Sequence, residues 1–112
     1  MKKQPPDMRW HRYELQAEVI HGVAHPIRLA IVDLLRDGDV CVCDIASAIG
    51  AGRSNVSRHL AVMMKSGIVR TRKEGLKVYY GLRTPCILGF MACATQAVEH
   101  DLEERRRTLA GS

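Results

Sequence analysis

Two cysteines separated by a single residue, Cys41 and Cys43, carry the most evident chemistry in this chain. The thiolate is the form of cysteine that binds metal or attacks an electrophile, and the positive end of a helix favours it. Cys41-Val42-Cys43 stands at the expected start of a helix, with Asp44 in the first turn, where a negative side chain complements the dipole. A pair of thiolates is a soft donor set, suited to As(III), Cd(II), Pb(II), Cu(I) or Zn(II). The other two thiols, Cys86 and Cys93, fall on the expected last helix. Seven residues at 1.5 Å rise place them roughly 10 Å apart along one face, too far to share an ion from one straight helix. Each serves a different site, or pairs with Cys41 and Cys43 across the fold or across a dimer. The plainer reading of any of the four is core packing, because free cysteine is often a small buried hydrophobe.

A second set of residues suits a polyanion. The chain of 112 residues carries a formal charge of +5, and between Asp44 and Glu99 its only acid is Glu74. The same stretch holds Arg53, Arg58, Lys65, Arg70, Arg72, Lys73, Lys77 and Arg83. Arg53, Ser54, Asn55, Ser57, Arg58 and His59 cluster at the start of an expected helix. Arginine pairs two ways with guanine and asparagine with adenine, so these are residue types that read base edges. Arg72, Lys73 and Lys77 flank a turn at Gly75. They would meet phosphate, or Arg72 and Lys73 would enter the minor groove. A lone basic run is usually a solvated surface; a basic hairpin beside a turn-separated helix pair points to double-stranded DNA.

These side chains need elements to position them. Residues 10–22 fit a helix roughly. His25-Pro26 opens a clearer one: His25 is the cap, Pro26 the first residue, Asp37-Gly38 the stop. A short connection leads into a helix over residues 43–49. Gly50-Ala51-Gly52 turns, and a further helix runs over 53–66 with Val56, Leu60, Val62 and Met63 inward and Gly67 closing it. Residues 68–72 and 77–82 read as a β-hairpin. Thr84 as cap and Pro85 as first residue begin a last long helix that ends in a fraying Arg105-Arg106-Arg107. The expected fold class is mainly α with a small β-hairpin: a winged helix-turn-helix that forms a homodimer, since a domain this small gains buried surface by pairing. Residues 1–8 and 108–112 are expected as tails around one domain over 9–107.

Other classes fit poorly. No stretch approaches the roughly 20 apolar residues of a membrane span, and the basic start leads into no apolar run, so the expectation is a cytoplasmic protein with no membrane partner. Cytoplasmic thiols are chemical groups more often than disulfides. No Ser/His/Asp set, paired carboxylates or phosphate-cradling glycine loop marks an enzyme.

Four segments resemble the ArsR/SmtB family of metal-responsive repressors. Ala24-His25-Pro26-Ile27-Arg28-Leu29 is similar to the family's "hPxR" opening of the second helix, and Asp39-Val40-Cys41-Val42-Cys43-Asp44-Ile45-Ala46 to its metal box "ELCVCDLA". Ser54-Asn55-Val56-Ser57-Arg58-His59-Leu60 is similar to the recognition helix "STVSxHL", and Lys73 to Tyr80 to the wing. The resemblance implies a homodimer joined by its first and last helices. It implies a repressor that sits on operator DNA and is released by an inducer, with As(III) the first expectation and Cd, Pb, Zn or Cu as other soft ions. Cys41, Cys43, Cys86 and Cys93 would supply the thiolates. The chain departs from the pattern twice: where arsenic-responsive members carry a third cysteine it has Ala46, and the N-terminal tail, from which cadmium- and lead-type members recruit cysteine, has none. The zinc site on the last helix of SmtB-like members is also incomplete. His100 and Glu103 match its closing half, but Ile87 and Gly89 occupy the opening ligand positions. A thiol redox or reactive-sulfur response on the same fold is the alternative, since cysteine oxidation and persulfidation are reversible.

Overall fold

The computed structural model describes residues 8–111. Residues 1–7 and Ser112 lie outside it, and with them most of the expected N-terminal tail. Five helices and three strands follow one another as α1 (Met8–His21), α2 (Pro26–Leu34), β1 (Val40–Cys41), α3 (Val42–Ile49), α4 (Arg53–Lys65), β2 (Val69–Glu74), β3 (Lys77–Leu82) and α5 (Ile87–Ala110).

Local rules account for most boundaries. Pro26 opens α2, where its missing N–H costs nothing, and the His25 ring accepts a hydrogen bond from the Ile27 N–H at 3.0 Å. Gly50 closes α3 in the left-handed region, φ 76°, a conformation that glycine adopts without steric penalty. Val56, Leu60 and Met63 recur at helical spacing along α4, and all three are fully buried. They meet Ile31, Val32 and Leu35 from α2 and its end, Ile45 and Ala46 from α3, and Val23, Ile68, Val69 and Ile87. The core is thus aliphatic, as a chain poor in aromatics requires.

The sheet is antiparallel in the order β1-β3-β2. The expected hairpin is present as β2 and β3, paired from Val69 with Leu82 to Glu74 with Lys77. β1 stands where the sequence predicts only a connection into the next helix. Val40 pairs with Tyr80 and Cys41 with Tyr79, and two residues are too few to show an alternating pattern.

The start of the last helix is a second correction. Thr84 does not cap it, because its hydroxyl donates to the Gly67 carbonyl at 2.7 Å. Residues 84–89 instead make tight i to i+3 bonds, such as Ile87 N–H to Thr84 O at 3.1 Å, and Cys86 takes the cap position. At the other end the helix continues through Arg105-Arg106-Arg107 to Ala110. The Asp101–Arg105 ion pair at 3.2 Å supports that last stretch.

α1 buries no residue fully and α5 only Ile87. Both present large apolar side chains to solvent: Tyr13, Leu15 and Ile20 on α1, and Phe90, Val98, Leu102 and Leu109 on α5. Among the described residues no helix is long and apolar enough to cross a membrane.

Candidate nucleic-acid interface and thiol segment

After the turn at Gly50, α4 begins with Val56 anchored in the core and the opposite side of its first residues exposed. Gly52 is the cap residue and no side chain caps the N–H groups; no acid lies in the first turn. Uncapped N–H groups and the helix dipole suit a phosphate. Arg53, Ser54, Ser57 and Arg58 are exposed and Asn55 half-buried, while Val56 and Leu60 anchor the opposite face. Arg58 donates to Asn55 Oδ1 at 3.0 Å, so two potential base-reading groups orient one another.

His59 departs from the expected reading face. It shares its side of α4 with Val56 and Met63, three residues before and four after, and points back toward α2. Its ring packs against His25 at 4.3 Å between centroids, and its Nδ1 lies 3.2 Å from an Arg28 Nη1 donor. A guanidinium can only donate, so Nδ1 must accept, and a neutral ring carries its proton on Nε2. Burial, followed by the charges of His25, Arg28 and Arg58, holds His59 below the ordinary imidazole value of 6.5. Arg28 is itself buried and also donates to the His21 carbonyl at 3.3 Å. It thereby joins the end of α1 to α2 and α4. The sequence motif drew attention to Arg28 but gave it no partner.

The wing presents Lys73 and Lys77 to solvent on either side of a tip where Gly75 has φ 65°. Arg72 is exposed but engaged. Its Nε donates to Asp39 Oδ2 at 3.1 Å and its Nη1 to Glu74 Oε2 at 2.9 Å. Its guanidinium lies 4.7 Å over the Tyr79 ring, a cation–π distance. Arg70 donates twice to the same Asp39 carboxylate, at 3.1 and 3.2 Å. Hydrogen bonds from Arg70, then from Arg72, hold Asp39 below the usual carboxylate range. Asp39 and Tyr79 escaped the sequence reading because their importance depends on a strand pairing across 38 residues.

The four thiols are free. Cys41 is buried on β1, whereas Cys43, in the first turn of α3, is exposed. Cys86, the residue that caps α5, and Cys93, in its first part, are exposed. Among the described residues no three His, Cys, Asp or Glu side chains come together as a metal-binding group. A three-thiolate site is therefore not met within one protomer.

The profile of the bacterial regulatory protein arsR family matches residues 25–71, from the cap of α2 into the wing. An uncharacterized HTH-type transcriptional regulator of Mycobacterium tuberculosis is 33% identical over 98 residues, 87% of this chain and 86% of that protein. The arsenical resistance operon repressor of Escherichia coli is 43% identical over 69 residues, covering 61% of this chain and 59% of that one. Among solved structures, the homodimeric winged helix-turn-helix DNA-binding domain of a possible ArsR-family regulator from Mycobacterium bovis superposes with a TM-score of 0.76 at 29% identity, over 93% of this chain and 95% of that one. A core that supports α3 and α4 around a glycine turn, a basic three-stranded wing and these similarities agree: this chain belongs to the arsR family of winged helix-turn-helix DNA-binding transcriptional regulators and is not an enzyme.

Proposed function

We propose that this protein is a homodimeric cytoplasmic repressor that holds operator DNA through α4 and the wing and lets go when its thiols respond to a thiophilic signal. The observation that carries the DNA half is the start of α4, acid-free in its first turn, with Arg53, Ser54, Ser57 and Arg58 exposed while Val56 and Leu60 are buried. Arg53 and Arg58 meet guanine or phosphate, Asn55 adenine, and Lys73 and Lys77 flank the duplex as phosphate contacts. The apolar faces of α1 and α5 support dimerisation.

For the signal, Cys41 and Cys43 and the likeness to an arsenical repressor favour a soft ion, As(III) first, with Cd, Pb, Zn or Cu as other members of the class. Among its described residues one protomer brings no three His, Cys, Asp or Glu side chains together as donors. The second reading, thiol oxidation or persulfidation, is favoured by the exposure of Cys43, Cys86 and Cys93.

Anisotropy with a duplex selected by the protein from a random pool tests both. The complex is titrated anaerobically with As(III), Cd(II), Pb(II), Zn(II), Cu(I) and a persulfide donor, on the parent and on Cys41→Ser, Cys43→Ser, Cys86→Ser and Cys93→Ser. Release by the ions, lost in the Cys41 and Cys43 variants, supports the first reading; release by persulfide alone supports the second. If all four variants respond as the parent does, no thiol is the sensor.

A further inference from the structure

Arg70 and Arg72 stand two residues apart on β2, on one face of the sheet, and both guanidinium groups converge on Asp39. Asp39 precedes β1, and β3 lies between β1 and β2. The carboxylate must therefore reach across the middle strand. It passes at Gly81, which pairs with Arg70. A Cβ at Gly81 would collide with Asp39 Oδ1 and lie 2.9 Å from both terminal nitrogens of Arg70. Gly81 is not among the glycines with positive φ, so it is the space, not the backbone, that calls for glycine here. Tyr79, two residues back on the same face, carries Arg72 on its ring.

We propose that Asp39 is a positioning residue for operator recognition, setting the orientation in which Arg72 enters DNA. This rests on the wing reading given above. With Nε on Asp39, Nη1 on Glu74 and one face on Tyr79, Arg72 keeps its Nη2 edge for an acceptor on the duplex. A side chain already ordered loses less freedom on binding than a solvated one. A restrained guanidinium also pairs less readily with phosphates of arbitrary placement, so the clamp acts on specificity.

The test compares dissociation constants for the duplex selected from a random pool and for a scrambled duplex, across salt concentrations, with a melting curve for every variant. Asp39→Asn is expected to lower the selected-to-scrambled affinity ratio roughly tenfold and to steepen the scrambled salt slope by about 1, as a released guanidinium takes another phosphate. Gly81→Ala, which changes no charge but fills the passage, is expected to lower the ratio likewise. Asp37→Asn removes an exposed carboxylate from the same connection and is expected to keep the parental ratio. A folded Asp39→Asn with parental ratio and slope overturns the proposal. So does an Asp37→Asn that loses as much as Asp39→Asn, or a folded Gly81→Ala that keeps the ratio while Asp39→Asn loses it. If Gly81→Ala does not fold, the contrast between Asp39→Asn and Asp37→Asn decides. Arg72→Ala separates the two levels: parental binding in that variant removes Arg72 as a DNA contact and the clamp with it, while the Lys73 and Lys77 contacts stand or fall by their own variants. Weakened binding in it beside an unchanged Asp39→Asn removes the clamp alone.

Discussion

A proton on His59 would place a third positive group beside Arg28 and Arg58, in a site already short of water, with His25 stacked on the ring. Because its value in the folded chain lies below 6.5, the unfolded chain binds the proton more readily. The stability that His59 contributes is complete above pH 6.5 and is lost as pH falls through the depressed value. Melting curves between pH 8 and 5 should show the parent losing more stability on acidification than His59→Gln, which keeps an acceptor without a titrating ring. A parental pH profile in that variant would remove His59 as the cause. Asp39 shifts the same way for the opposite reason: hydrogen bonds from Arg70 and Arg72 favour its charged form, so the carboxylate, held below the usual range, stays charged throughout that window and keeps its arginine contacts. The two metal-box thiols also differ. Cys43 is exposed and Cys41 buried at 6%, so iodoacetamide should label Cys43 at least tenfold faster in the native protein, read by peptide mass.

Among elements, α4 joins stability to reading. Leu60 is fully buried in its centre, and Leu60→Ala should cost about 2–5 kcal/mol in denaturant unfolding. Arg53→Ala should instead leave stability nearly unchanged and weaken DNA binding with a shallower salt slope. How far such elements were legible depended on where their instructions sit. α2, α4 and the hairpin announce themselves through local signals: Pro26, the spacing of Val56, Leu60 and Met63, and Gly75 between two β-rich runs. β1 is only two residues long and exists because β3 offers it an edge. Thr84-Pro85 is a sound local cap, overruled by a carbonyl 17 residues away at Gly67. His59 was legible in principle, since it shares a helical stripe with two core residues, but its neighbours in the recognition motif drew it to the wrong face. The Asp39 carboxylate could not be placed, because its partners lie 31 and 33 residues on.

On the scale of the whole molecule, the outstanding feature is apolar surface left uncovered. Ile20, Val23, Leu29, Phe90, Met91 and Val98 line a groove of about 460 Å³ between α1, α2 and α5. Phe90→Asp should shift sedimentation from dimer to monomer and lower affinity for the selected duplex at least tenfold, because one reading helix then has to do the work of two. A parental sedimentation profile would move the interface elsewhere. Covered by a second copy, as proposed above, the exposed stripe on α5 would also tie the regulator to its own abundance. Association that covers it adds free energy to folding by mass action, so dilution weakens conformation and DNA occupancy together. In a cell that makes few copies, occupancy by the proposed dimer would then fall more steeply than in proportion to the number of chains, and a modest drop in synthesis would empty the sites it covers.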